Sequence, residues 1–257
     1  MVHNLISKYR EYLAEKFTAT TIRVYAEKLA ILLEGQSVTD TVNKLDTKKV
    51  IEKLADIKYK NHFSQSKNAF LHFCAFQNIT LPYETLERIK ELEKSTHKKY
   101  RKQKAVEYKT VDKKIKHLRN EKLKLSYQTI IATGLRVFEL AQIRPSDCIV
   151  SDEDITFNFI AKGGNAETVA LQRNIQPALY HKIKNYLNQI KPADKLFYSA
   201  IYLQIKAKEL GFACHDLRRI FAKLEYKRCR SKEEVKEKLR HSSMKTTNIY
   251  LKSNIKL

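Results

Sequence analysis

The sequence predicts a mainly α protein with one small β-hairpin: an all-α N-terminal part followed by an α+β part. Three observations carry that prediction. Apolar residues recur at helical spacing through most of the 257 residues. Glycine and proline are scarce, at five and four, which disfavours all-β, collagen-like and low-complexity architectures. One stretch, around Gly163-Gly164, changes to an alternating period.

The N-terminal part reads as short helices. Val2, Leu5, Ile6, Tyr9, Leu13 and Phe17 fall on one helical face. Thr20 is placed to cap a second helix carrying Ile22, Tyr25, Ala26, Leu29, Leu32 and Leu33, and Gly35 suits the left-handed position that ends it. Asp46 or Thr47 opens a third, with Val50, Ile51, Leu54 and Ile57 inward. A fourth carries Phe63, Ala69, Phe70, Phe73 and Phe76. Leu81-Pro82 breaks the pattern before a charged helix over Tyr83–Glu93. Residues 1–95 are thus expected to form one helical domain, 96–105 a basic linker and 106–257 a second domain.

In the second domain helices are predicted over Val111–Leu118 and Leu123–Ala132. Ile155, Phe157 and Phe159 then alternate with Thr156, Asn158 and Ile160. Lys162-Gly163-Gly164-Asn165 and the β-prone Thr168–Leu171 follow, which is a hairpin signal. Pro177 starts a helix with Ile183, Tyr186, Leu187 and Ile190 inward. Further helices are predicted over Ile201–Leu210, Leu217–Tyr226 and Lys232–Leu239, the last opened by a capping box of Ser231 and Glu234.

The charge points to a polyanion. Fifty Lys+Arg against 28 Asp+Glu leave +22, more than solubility needs. It is uneven: residues 1–95 hold 15 basic and 12 acidic side chains, and residues 96–257 hold 35 and 16. Within the linker, Lys98, Lys99, Arg101, Lys102 and Lys104 are candidate phosphate contacts. No apolar run approaches the ~20 residues of a membrane span. The N-terminus lacks the apolar core of a signal peptide, so a cytoplasmic, nucleoid-associated protein is expected. Four cysteines without C-x-x-C spacing imply reduced thiols. Those at 74, 148 and 214, beside apolar neighbours, read as inert and buried.

Three basic-half segments carry chemistry: Thr133-Gly134-Leu135-Arg136-Val137-Phe138-Glu139-Leu140, His215-Asp216-Leu217-Arg218-Arg219, and Leu239-Arg240-His241-Ser242-Ser243 running on through Thr246-Thr247 to Tyr250-Leu251. Singly, each has an ordinary reading as a surface cation or a packed aromatic. Their order and spacing together resemble the tyrosine recombinases, or phage integrases, whose signature runs Arg, Lys, His-x-x-Arg, His, Tyr. Arg136, Lys162, His215, Arg218, His241 and Tyr250 fill those six positions in order. The resemblance covers roughly 105–257, and the helical first part is similar to the family's core-binding domain. Two departures stand out. Arg240 occupies the position of the family's glycine, so the backbone there is expected to differ, and the stretch between Lys162 and His215 is compact.

The side chains suit phosphodiester chemistry. Two guanidiniums offer planar forks to non-bridging oxygens, and a tyrosine in a cationic field is a usable nucleophile and leaving group. The resemblance implies Lys162 as general acid, His215 as acid/base partner, His241 as phosphate donor and Tyr250 as nucleophile forming a 3′-phosphotyrosine. It implies no cofactor and no metal, with Glu139 and Asp216 in supporting roles. It also implies double-stranded DNA with a short recombination site as partner, bound by a homo-tetramer, or a hetero-tetramer, across two sites. No separate arm-binding domain is expected, which favours a simple Xer-like or Cre-like recombinase of prokaryotic, viral or mobile-element origin, for integration and excision or for dimer resolution. A non-catalytic DNA-binding regulator or architectural protein would share the charge and helices but has no reason to keep all six groups. A type IB topoisomerase is disfavoured by the separate helical first domain.

Overall fold

The computed structural model describes residues 2–36, 45–97, 105–161 and 164–257. The chain divides into two compact units, Met1–Arg101 and Lys102–Leu257. The first comprises α1 (Val2–Ala14), α2 (Ala19–Leu33), α3 (Thr47–Ala55), α4 (Lys60–Phe76) and α5 (Tyr83–Ser95). The predicted face of α1 is the buried one: Leu5, Ile6, Tyr9 and Leu13 pack on Ala26, Leu29 and Leu33 of α2 and on Ala69 and Phe73 of α4. Tyr9 satisfies its buried hydroxyl by donating to Ala69 O at 2.8 Å. The other side of α4, through Phe63, Phe70 and Cys74, packs with Val50, Leu54, Ile89 and Leu92. α4 is therefore the common wall of two apolar clusters, each buried side chain contributing about 1.5–3 kcal/mol of transfer free energy.

The helix ends follow from local chemistry. Asp46 Oδ1 accepts from the Lys48 and Lys49 amides at 3.1 and 3.2 Å, capping α3. α2 begins earlier than its sequence suggests: Thr18, not Thr20, is the N-cap, its hydroxyl 3.2 Å from that of Thr21. Gly35 is left-handed as expected. Lys53 donates to Ile31 O and Glu34 O, placing a cation on the negative end of α2.

The second unit runs β1 (Val106–Glu107), α6 (Tyr108–Lys116), α7 (Glu121–Thr133), α8 (Val137–Leu140), β2 (Cys148–Val150), β3 (Asp154–Ile160), β4 (Ala166–Gln172), α9 (Pro177–Leu187), α10 (Ala200–Glu209), α11 (Cys214–Cys229), α12 (Lys232–Lys238), α13 (Met244–Leu251) and β5 (Ile255–Lys256). The predicted hairpin is β3–β4, antiparallel with Ile155 opposite Leu171 and Phe157 opposite Val169. Ile155, Phe157 and Phe159 all point into the core. β2 adds a third antiparallel strand that the sequence did not announce; its three residues are too short to show a period, and Ile149 and Val150 are exposed. β1 and β5 pair in parallel, and Ile255 is buried in the core of its own unit. Lys223 holds that end by donating to Ser253 O and Ile255 O, both at 2.8 Å.

α7 and α11 are the frame. Leu125, Tyr127 and Ile130 of α7 and Leu217 and Ile220 of α11 lie in one core. An adjoining stripe of α11, with Phe221 and Ala222, packs with Val235, Leu239 and Tyr250 in a second cluster. α11 is longer than predicted, so His215 stands in its first turn. Ser231 accepts from the Glu234 amide, but its own hydroxyl turns to Glu233, so only half of the expected capping box forms. The cysteines are free. Cys74 and Cys214 are buried and Cys148 half-buried, and loss of hydration pushes the three thiols up to about 12, 11 and 12. Among the described residues no helix is long and apolar enough to cross a membrane.

Replacing Asp46 by alanine orphans two amides at the start of α3 and should destabilise the first unit by about 1 kcal/mol. Chemical denaturation of the full chain, with hydrogen exchange at the α3 amides, measures this. Unchanged α3 protection would show that the cap contributes nothing.

Candidate active site

Gly134 ends α7 in the left-handed region (φ +68°). A Cβ there would meet the Phe221 ring at 2.5 Å, so both conformation and packing demand glycine. The chain then turns through buried Leu135 to extended Arg136, which opens α8. Glu139, one turn on, is buried and accepts from the Arg136 amide (2.8 Å) and from Arg136 Nη1 (2.6 Å). Burial alone would raise its carboxyl pKa; the Arg136 amide and guanidinium and the Arg240 charge overcome that and hold it below the usual carboxylate range.

Arg218, on α11, is 1% exposed. Its Nη1 donates to Gly134 O and its Nη2 to Leu239 O, while Nε has no hydrogen-bond partner and no carboxylate pairs with the group among the described residues. Burial, then the Arg136 charge, lowers its pKa to about 10. A buried cation with no counter-charge is expensive. Its natural complement is an anion from outside.

His215 and Tyr250 share a hydrogen bond of 2.6 Å between Nε2 and the phenolic Oη. The His241 ring stands edge-on to the other part of Tyr250, centroids 4.7 Å apart, and His241 Nδ1 lies 3.0 Å from Thr247 Oγ1. His241 Nε2 is buried without a partner. Desolvation first, then Arg219 and Arg218, bring His215 down to about 4, although that residue is open to solvent on one side. Desolvation and then Arg218 and Arg136 bring His241 to about 4. Both imidazoles are neutral at pH 7. The Arg219 guanidinium lies 5.9 Å from the Tyr250 ring centre and is held by Asp216 at 2.7 Å.

The backbone around His241 explains its placement. The Arg240 amide donates to Glu237 O and the His241 amide to Lys236 O, at 2.8 and 3.0 Å. That pair of bonds closes α12 with a left-handed residue, Arg240 (φ +52°). The substitution expected to alter the backbone instead keeps the conformation that glycine favours. Its guanidinium pairs with Glu139 Oε2 and Glu167 Oε2, each at 2.9 Å.

Of the sequence candidates, His215, His241 and Tyr250 are in direct contact, and the Arg136 and Arg218 charges both act on the two imidazoles. Lys162 lies outside the described residues, as do Lys98, Lys99, Arg101, Lys102 and Lys104. Glu139 and Asp216 each hold an arginine. Sequence reasoning gave no role to Arg219, Arg240, Glu167 or Thr247, although Arg240 stands out at the family's glycine position and Thr247, three residues before Tyr250, shares its helical face. Among the described residues no group of three or more His, Cys, Asp or Glu could hold a metal.

The phage integrase family model matches residues 107–256, more than half of the chain. The fold is similar to that of lambda integrase (75–356), a dimer bound to a COC′ core site, at 17% identity over 97% of this chain and 94% of that one, with a TM-score of 0.65. It is similar to the Tn1549 transposon integrase (aa 82–397) in complex with circular intermediate DNA, at 13% identity, 97% and 95% coverage and a TM-score of 0.64. The XerH site-specific recombinase bound to its difH substrate matches at 19% identity, 89% and 76% coverage and a TM-score of 0.61. No curated protein matches in sequence. The chain belongs to the phage integrase family, the tyrosine-type site-specific DNA recombinases.

The depressed His241 pKa has a consequence for stability. The folded unit holds the neutral ring, so its contribution is complete above about pH 6.5 and is lost as pH falls toward 4. The expected slope is at most roughly 1.4 kcal/mol per pH unit in that window. Denaturant titrations at stepwise lower pH measure it, and His241→Gln should flatten the curve. An equal slope in the variant would assign the loss to other groups.

Proposed function

We propose that Tyr250 is the nucleophile that cuts and rejoins DNA strands, through a covalent 3′-phosphotyrosyl bond. The Tyr250 oxygen attacks the scissile phosphorus, the bond to the 5′ oxygen breaks, and the departing oxygen takes a proton from Lys162. Religation reverses this with a 5′-hydroxyl from the partner strand, so the phosphodiester bond energy is retained. The 2.6 Å contact between His215 and Tyr250 is the observation that carries the proposal. A neutral imidazole there can accept the phenolic proton as the phosphorus–oxygen bond forms. Arg136 and Arg218 hold the non-bridging oxygens of the pentacoordinate phosphorus, and His241 donates to one of them. Support comes from Arg218 Nε and His241 Nε2, buried polar atoms left without partners.

The rest follows from charge and from the relatives. Lys98, Lys99, Arg101, Lys102 and Lys104 contact the sugar-phosphate backbone, giving sequence-blind, strongly salt-dependent affinity on top of specific binding to a short duplex site. The working form is a tetramer across two sites, by analogy with lambda integrase, which forms a tetramer bound to a Holliday junction. The biological task is integration and excision of a mobile element, or resolution of DNA dimers.

With a nicked suicide duplex, the wild-type chain should give a covalent protein–DNA band on a denaturing gel. Tyr250→Phe should lose that band while keeping its affinity for DNA. A band that persists in the variant removes Tyr250 from the role. Arg136→Lys should slow formation of the band by about a hundredfold or more, because a single ammonium cannot replace the fork.

A further inference from the structure

We propose that Arg240 is a positioning residue for the strand-cleavage step, acting through Glu139 on Arg136. The proposal rests on the recombinase reading of the site. Two nitrogens of this guanidinium donate hydrogen bonds, Nη1 to Lys238 O at 3.3 Å and Nη2 to Glu139 Oε2 at 2.9 Å, and Nε forms an ion pair with Glu167 Oε2 at 2.9 Å without hydrogen-bond geometry. Its plane lies against Phe159, with 5.0 Å from the guanidinium carbon to the ring centre. The side chain is only 13% exposed. A cation paired with two carboxylates is not free to take a phosphate, unlike Arg218, which no carboxylate pairs with among the described residues. What it does is hold other groups.

The group it holds matters. Glu139 carries three donors on two oxygens: Arg136 Nη1 on Oε1, and the Arg136 amide with Arg240 Nη2 on Oε2. A carboxylate fixed at both oxygens fixes the plane of the Arg136 fork, and that plane decides whether the fork meets a phosphate bidentately. Arg240 also joins α8 to the β3–β4 hairpin through Glu167 and Phe159, two elements that are far apart in sequence. Left-handed backbone alone does not set Arg240 apart, since Arg230 adopts it too (φ +57°) with its side chain exposed. The difference at 240 is that a side chain disfavoured by the backbone is buried and paired with two carboxylates.

The test measures cleavage of the nicked suicide duplex in a single turnover at saturating protein, beside DNA affinity by anisotropy and the thermal unfolding midpoint. Arg240→Gly suits the backbone and removes the bridge. It should fold, bind DNA within about threefold of wild type, and cleave about tenfold or more slowly. Millimolar guanidinium, which can occupy the vacated place between the two carboxylates, should recover much of the rate. Cleavage at the wild-type rate overturns the proposal, as does slowed cleavage that guanidinium leaves unchanged, or affinity lost in parallel with rate. Should Arg240→Gly fail to fold, Arg240→Lys carries the test. One ammonium cannot span both carboxylates, so slowed cleavage at unchanged affinity is expected, and wild-type cleavage overturns it. Absence of a covalent band with the unaltered chain strikes the recombinase reading instead, and is seen in its own lane.

Discussion

The second unit is organised around one buried cation. Arg218 reaches from α11 to the carbonyls of Gly134 and Leu239, the capping residues at the C-terminal ends of α7 and α12. Helix C-termini carry partial negative charge, so two of them partly offset the desolvation of the guanidinium. They do not replace a carboxylate. The arrangement ties three helices together through one side chain and leaves a net positive charge in a dry place. Such a charge is worth most to an anion that arrives without water.

The surrounding polar groups divide according to whether an opposite charge already holds them. Arg136, Glu139, Arg240 and Glu167 form a connected run of ion pairs. Arg218 Nε and His241 Nε2 are buried and unpaired among the described residues. The first set gives rigidity and the second gives capacity. Burial first, and the same cationic field second, keep both imidazoles neutral. A bound phosphate would cancel part of that field and relieve the repulsion among these cations. The phenol of Tyr250 sits where it benefits twice, beside a neutral base and under the guanidinium of Arg219.

Much of this was legible in the sequence because it is local. The face of α1, the Asp46 cap, the pairing of β3 with β4 and the first-turn proline of α9 each follow from residues within a few positions of one another. The five described candidates of the proposed site were picked out by order and spacing in the same way. What was not legible depends on distance in the chain. β1 meets β5 from opposite ends of the unit, and two-residue strands have no period to detect. Arg240 stands out at the family's glycine position, but its partner Glu139 lies 101 positions away, and no local pattern joins the two. Thr18 and Thr20 are the same residue type two positions apart, so local chemistry does not choose between them as the N-cap of α2.

The short motifs are informative for a further physical reason. Each joins a helix stop to a functional side chain. Gly134 terminates α7 in the left-handed region, its amide donating to Ile130 O at 2.9 Å, and Arg136 follows two residues later. Arg240 terminates α12 in the same region, and His241 is the next residue. A helix end closed by backbone hydrogen bonds has few degrees of freedom, so the side chain just beyond it is placed as firmly as one on the helix itself. Arg218 then bonds a carbonyl at each of the two stops, which locks their separation. The site is thus built from terminated helices rather than from loops. At the second stop, backbone geometry alone favours glycine. The arginine found there gives up that conformational ease, and it gains a link from the stop to the carboxylate that orients Arg136.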